Sequence, residues 1–361
     1  MLFDERPKVS RGGDLYDRNE ELNDILKNIN GPMIVVTGIR RIGKTSVINV
    51  ALNETDIPYV LIDCRSLRDN YGRSDLYRLI SNALSSSLDK LIDVLRKIRG
   101  GISIMGNAIE IRWRGGREQV SLAELFDRLN ERRVVVVFDE AQRLRGGPLS
   151  GEVLNALAHA YDFDRNVTFI LSGSEVGLLY EFMGIEDPNS PLFGRYFHEV
   201  RIGRFTRDES IDFLRRGFKE LGIEVSTDVI ETIADVFDGI PGWLVYVANA
   251  YIRGGVRDLS MIRDAAIREA LNELEKLIRV KASYSTVNAR RTALVLRCIA
   301  SGGNTWSKVV RCVEDFEGTT VSPTSLNNVI KTLERLSIIE NYEFLDPMYR
   351  EAAMRLGIPN Y

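Results

Sequence analysis

An α/β domain built on a parallel sheet, followed by an all-helical segment and a three-helix end, is what this sequence predicts. Three observations carry that reading. Short β-branched or aliphatic runs at 33–37, 58–63, 134–138, 167–171 and 197–202 alternate with helical stretches over the first 205 residues, the pattern of parallel strands joined by crossover helices. The run 134–138 is apolar at every position, as a strand covered on both faces must be. After Phe205 the composition shifts to helical stretches with polar breaks, and the last 78 residues follow a third pattern. Domains are therefore expected over 1–205, 206–283 and 284–361.

In chain order, 14–22 opens a helix with Asp17 or Asn19 as candidate caps. Pro32 punctuates the start of the first strand, and 46–52 reads as a helix. Between them, Gly38-Ile39-Arg40-Arg41-Ile42-Gly43-Lys44-Thr45 fits G-x-x-x-x-G-K-[ST] with no mismatch. The glycines let the backbone curl so that successive N–H groups face phosphate oxygens. Lys44 supplies positive charge at the β- and γ-phosphates, and the Thr45 hydroxyl ligates Mg²⁺. Strand, loop and helix in that order are what the chemistry requires. The segment from Gly38 to Ser46 is thus expected to hold ATP or ADP with Mg²⁺; no N-K-x-D guanine signature occurs.

A strand at 58–63 and a helix from Ser74 to Ile98, broken by Gly100-Gly101, come next. Residues 102–113 alternate around Gly106-Asn107 as a hairpin. Its Arg112, Trp113, Arg114 and Arg117 either grip nucleic acid or a partner protein, or are solvated side chains. A helix over 121–130 precedes the run 134–138, which ends in Asp139-Glu140. An acidic pair at the carboxyl end of such a strand lies in the crevice where α/β sheets bind ligands. Asp139 would support Mg²⁺ through water, and Glu140 would take a proton from, or orient, the water attacking the γ-phosphate. After a helix at 152–161, the strand 167–171 ends in Ser172-Gly173-Ser174. Ser174 there either positions the attacking water or caps a turn.

Beyond Phe205, Gly239-Ile240-Pro241-Gly242-Trp243 reads as a rigid turn between two helices. Helices at 290–300, 305–316 and from Ser322-Pro323 to Leu336, then two short strands around Asn341, give the winged helix-turn-helix outline. The helix from Ser322 would expose Thr324, Ser325, Asn327, Asn328 and Lys331 to base edges, with Arg290, Arg291, Lys308 and Arg311 meeting phosphates. Glu334, Glu340, Glu343 and Asp346 crowd the wing side. Such domains also dock proteins, so DNA and a protein partner both stay open.

A net charge of −3 and a pI near 5.7 give no global pull toward nucleic acid or an anionic membrane. Cys64, Cys298 and Cys312 form no C-x-x-C pair, which argues against a disulfide framework or a zinc site and fits a reducing cytosol. Only His159 and His198 are present, leaving little for a His-rich metal site or a Ser/His/Asp triad. Residues 1–10 lack the apolar core of a signal peptide and no run reaches membrane-spanning length. A cytoplasmic protein with no membrane association is expected.

Together with Phe138-Asp139-Glu140-Ala141-Gln142 and Pro191-Leu192-Phe193-Gly194-Arg195, the phosphate loop and the Ser172-Gly173-Ser174 strand end resemble the AAA+ superfamily. More narrowly, the chain resembles the archaeal ATPases of the STAND group, and the resemblance covers essentially its whole length. It implies a P-loop NTPase three-layer parallel sheet, a helical lid and a C-terminal winged helix. The implied activity is slow ATP hydrolysis in a switch, with a nucleotide-gated DNA-binding regulator or protein scaffold as the alternative. Position by position, Asp17 and Arg18 match the box that borders adenine, and Ser174 matches the sensor. Pro241 in Gly239-Ile240-Pro241 matches a proline that packs near the base. Arg195 matches the arginine that approaches a γ-phosphate, usually in a neighbouring subunit, which would require a homo-oligomer; it is otherwise a surface arginine, with Arg201, Arg204 and Arg207 as competitors. Lys44, Glu140, Ser174 and Arg195 are the implied catalytic set. No separate arginine sensor is assignable in the lid.

Overall fold

The strands of the first unit are, in chain order, β1 (Met33–Thr37), β2 (Tyr59–Asp63), β3 (Ile102–Met105), β4 (Ala108–Ile111), β5 (Val134–Asp139), β6 (Val167–Gly173) and β7 (His198–Arg201). Five of them make one all-parallel sheet in the order β2-β5-β6-β1-β7. Every residue of β1, β5 and β6 is buried. Alternate side chains of a strand point to opposite faces, and the core divides accordingly. Met33, Val35, Val134, Val136 and Phe138 join Phe126, Phe169 and Phe182 in one cluster. Ile34, Val36, Val135 and Val137 join Leu22, Ile25, Val47 and Ile48 in the other. The second cluster is closed by α1 (Asn19–Asn28) and α2 (Lys44–Asn53). The first is closed by α3 (Arg73–Ser86), α4 (Leu122–Leu129), α5 (Ser150–Phe163) and α6 (Val176–Met183). This is the three-layer arrangement expected from the apolar runs.

The computed structural model describes residues 1–359 apart from 13, 69, 88, 90, 92–101, 106–107, 112–119 and 254–257. Strands β3 and β4 pair antiparallel as the expected hairpin; Arg112, Trp113, Arg114 and Arg117 lie outside the described residues. One local expectation is corrected, and another lies partly outside the described residues. The N-cap position of α1 is Arg18, and neither Asp17 nor Asn19 caps it with a side chain, because Asp17 is turned into the left-handed region (φ 45°). Helix α3 ends at Ser86; beyond it Asp89 and Leu91 are again helical, and the rest of the helix expected as far as Ile98 falls on 88, 90 and 92–98, outside the described residues.

By its contacts the chain divides into Pro7–Ile202 and a second unit, Met1–Arg6 with Gly203–Tyr361. The second unit runs α7 (Arg207–Glu220), α8 (Thr227–Phe237), α9 (Pro241–Arg253), α10 (Leu259–Ala282), α11 (Thr286–Ala300), α12 (Trp306–Glu317), α13 (Pro323–Arg335), β8 (Ile339–Glu340), β9 (Glu343–Phe344) and α14 (Pro347–Arg355). Phe3 plugs this unit: it is 3% exposed and stacks edge-on against Phe213 and Phe218. Asn249 Nδ2 donates to its carbonyl at 2.8 Å. Helices α11, α12 and α13 with β8–β9 form the winged helix; α14, which the sequence reading left out, begins with Pro347 after the Asp346 cap.

The cysteine reading is also corrected. Cys298 on α11 and Cys312 on α12 form a disulfide across the helix pair, 14 residues apart in sequence. Two helices packed side by side bring distant positions together, which a search for C-x-x-C cannot detect. Cys64 is a fully buried free thiol, and burial together with the nearby carboxylates pushes its pKa well above the ordinary range.

At the end of α5, Asp164 is 4% exposed and its Oδ2 has no hydrogen-bond partner among the described residues. Burial, aided by the neighbouring Asp127 carboxylate and opposed by His159, raises its pKa from 3.8 to about 6. A carboxyl raised in the folded state contributes stability fully below its unfolded pKa, and that contribution is lost as pH rises through the folded value. Asp164→Asn should therefore stabilise the protein at pH 8 by about 1–2 kcal/mol, with the gain shrinking toward pH 4. Denaturant unfolding across that range measures it, and an equal gain at both ends would contradict the assignment.

Candidate functional site

β1 sits between β6 and β7, so the loop that follows it leaves from the middle of the sheet. Gly38 (φ 148°) admits no side chain, because a Cβ there would lie 2.7 Å from the Ile202 carbonyl oxygen. Gly43 (φ 100°) and Arg41 (φ 64°) complete the curl in the left-handed region. Ile42, 1% exposed, pins the loop to the core. No side chain caps the N terminus of α2, so the N–H groups and positive dipole end of that helix suit an anion. Lys44 is 5% exposed and its Nζ donates to the carbonyls of Gly38 (2.9 Å) and Ile39 (3.1 Å). Burial lowers its pKa against the opposing pull of Glu140 and Asp139.

The ends of β5 and β6 bring the acidic pair to this loop. Asp139, 1% exposed, accepts from the Thr45 hydroxyl at 2.9 Å and from the Ser172 hydroxyl. Burial raises its pKa despite these two bonds. A hydroxyl and a carboxylate side by side are hard oxygen donors, and they suit Mg²⁺, which takes one or two protein oxygens and fills its octahedron with phosphate and water. Among the described residues no group of three His, Cys, Asp or Glu is arranged to hold a metal. On the neighbouring strand Asp63, in register with Asp139, is held by an Arg65 fork at 2.8 and 2.6 Å.

Glu140 adopts φ 55°, ψ 48°, a left-handed conformation that costs a non-glycine residue on the order of 1 kcal/mol. Its N–H is held by Ser172 Oγ at 3.2 Å. Its Oε2 accepts from Ser174 Oγ (2.6 Å), Ser174 N (3.2 Å) and Gln142 Nε2 (2.6 Å), while Oε1 lies 3.8 Å from Lys44 Nζ. Burial works against ionisation, but Lys44, Ser174 and Gln142 outweigh it and hold the carboxyl below its usual pKa. Arg40 of the loop reaches Glu175, next to Ser174, at 3.1 Å. Thr37 Oγ1 bonds Glu199 of β7 at 2.9 Å.

The structure thus brings Asp139, Glu140 and Ser174 together with Lys44 and Thr45 of the Gly38 to Ser46 segment. Ser174 is engaged with Glu140 directly. Ser172 and Gln142 hold the acidic pair and were not assigned roles from sequence; only their spacing from Ser174 and Glu140 could have signalled them. Arg18 is 6% exposed and pairs with Glu21 at 3.2 Å. Arg195 is held bidentately by Asp162 at 3.1 and 2.6 Å and lies over the Tyr161 ring at 5.9 Å; Phe163, Phe193 and Tyr196, close in sequence to it or to Asp162, are exposed. Its competitors Arg204 and Arg207 pair with Asp238 and Asp235. Pro241 lies in the second unit, opening α9. On the winged helix, Thr324, Asn327, Asn328 and Lys331 are exposed. Arg290 instead bonds the Pro359 carbonyl, and Arg291 bonds Glu317 and Ser325.

Residues 15–247 match the model of an ATPase domain predominantly from Archaea, and residues 287–351 match that of the MCM protein C-terminal winged helix-turn-helix domain. Among solved structures, a Walker-type ATPase of Pyrococcus abyssi is similar over 98% of this chain and 99% of its own, at 34% identity and a TM-score of 0.81. The ORC2 protein of Aeropyrum pernix, solved in ADPNP–ADP complexes, shares the fold over 98% and 96% of the two chains at 15% identity and a TM-score of 0.59. Among curated proteins, none matches. The chain belongs to the family of ATPase domains predominantly from Archaea, with a winged helix at its C-terminal end.

Proposed function

We propose that this ATPase is a slow, Mg²⁺-dependent switch whose nucleotide state is passed to the winged helix through the helical segment. The observation that carries this reading is the state of Glu140. It lies beside the phosphate loop with one oxygen facing Lys44 and the other held by Ser174 and Gln142. Bound ATP would place its β- and γ-phosphates on the loop N–H groups and Lys44. Mg²⁺ held by Thr45 and Asp139 would offset the developing charge. Glu140 then orients the water and takes its proton. Asp17 and Arg18 are proposed to border the adenine, and Pro241 to couple lid position to nucleotide. The segments 1–205, 206–283 and 284–361 act as ATPase core, lid and output domain.

Lys44→Ala should abolish ATP binding, whereas Glu140→Gln should keep binding and lose hydrolysis by about 100-fold or more. Nucleotide titration and phosphate release measure the two effects; equal phosphate release by wild type and Glu140→Gln would refute the role of Glu140.

Arg195, close in sequence to exposed aromatic side chains, is proposed to complete the site of a second copy. Arg195→Ala and Lys44→Ala should each be inactive alone, and mixing them should restore part of the activity, because mixed oligomers then contain intact composite sites. No recovery from a mixture shown to exchange subunits would place Arg195 outside the reaction.

The exposed polar face of α13 favours a second reading, in which the output is duplex DNA. The segment 284–361 carries nine Lys and Arg against eight Asp and Glu, and Arg290 and Arg291 are engaged internally. Lys308, Arg311 and Lys331 are left as exposed cations. Three phosphate contacts give a log–log salt slope near −3, so DNA affinity should fall roughly 40-fold between 50 and 200 mM salt. A flat salt dependence, or affinity unchanged when the three cations are removed, would leave the winged helix as a protein-docking module.

A further inference from the structure

We propose that Gln142 is a positioning residue for ATP hydrolysis: it fixes the rotation of the Glu140 carboxylate so that Oε1, and not Oε2, faces the attacking water. The inference rests on the reading of Glu140 as the group that activates water. Gln142 lies two residues beyond Glu140, at the start of the 3₁₀ turn Ala141–Gly146, and is 5% exposed. An ionised carboxylate only accepts hydrogen bonds, so the amide nitrogen is the end that must face it. That nitrogen donates to Oε2 at 2.6 Å, alongside the two bonds from Ser174. With three donors Oε2 is saturated, and Oε1 is left on the side of Lys44.

The amide is costly where it stands. Its Oε1 is buried with no hydrogen-bond partner among the described residues, and an unmatched buried acceptor is destabilising. It lies against the end of β6, where a Cβ on Gly173 would come within 2.8 Å of it. An apolar side chain of the same volume would avoid that cost. What the amide does that an apolar group cannot is donate to Glu140, whose backbone is itself held in a left-handed conformation. Losing one neutral donor makes a carboxylate a better base by a few-fold at most, whereas misplacing a reacting group by ~1 Å costs on the order of 100-fold. Orientation therefore outweighs basicity.

The test is Gln142→Met in the full chain, with kcat, KM for ATP and Tm measured beside Glu140→Gln. The expected result is a fall in kcat of about 30- to 100-fold with KM within about twofold of wild type. Tm should stay level or rise, because the unpaired amide oxygen is gone. Gln142→Glu, which cannot donate and repels Glu140, should lose at least as much turnover. If Glu140→Gln hydrolyses ATP at the wild-type rate, the water-activating role of Glu140 fails and the proposal with it. If Glu140→Gln is inactive while Gln142→Met keeps its kcat or gains, the positioning role alone is overturned. A Tm that falls together with kcat makes Gln142 a packing residue and also overturns it.

Discussion

Burial of the Asp139 carboxylate is the constraint on which the site is built. An ionised carboxylate removed from water is tolerated only when paired and hydrogen-bonded, and Asp139 is 1% exposed. Its bonds come from two neutral hydroxyls, Thr45 at the first turn of α2 and Ser172 at the end of β6. Neutral donors offset desolvation only in part, which is why its pKa stays raised. A divalent cation at this carboxylate would supply the missing charge. A cation bound there would thus serve the buried anion as well as the phosphates.

The same packing explains the neighbouring strain. The register of β5 on β6 leaves Ser172 between the Asp139 side chain and the Glu140 N–H. Glu140 must then leave the strand in a left-handed turn that directs its carboxylate toward Ser174 and Lys44. Backbone strain of this kind persists only where the surroundings fix it on several sides. Three fully buried strands and a buried Ile42 do so here.

Much of this was legible in the chain because local rules govern it. Unbroken apolar runs fix strands buried on both faces, and the phosphate loop has residue types that its dihedrals demand at Gly38 and Gly43. Asp139-Glu140 announced itself by position alone. What escaped the sequence depends on tertiary proximity. Cys298 meets Cys312 only because α11 packs on α12. Phe3 joins the helical unit although the 196 residues of 7–202 intervene. Arg290 and Arg291 looked like free cations, and the fold spends them on Pro359 and Glu317. Spacing and periodicity carry no information about such pairings.

The helical segment and the winged helix are joined by chemistry that a soft linker would lack. Trp243, 1% exposed, donates its indole N–H to Asp346 at 2.8 Å, and Asp346 also caps α14. Two residues before Pro241, Gly239 is left-handed, and a Cβ there would strike the Phe205 carbonyl oxygen. Any rotation of α9 must carry Trp243 with it. Breaking the buried indole–carboxylate bond instead would cost about 1.5–3 kcal/mol. The helical segment and the winged helix are therefore tied by a buried hydrogen bond. The chain passes between its two units only at 6–7 and 202–203.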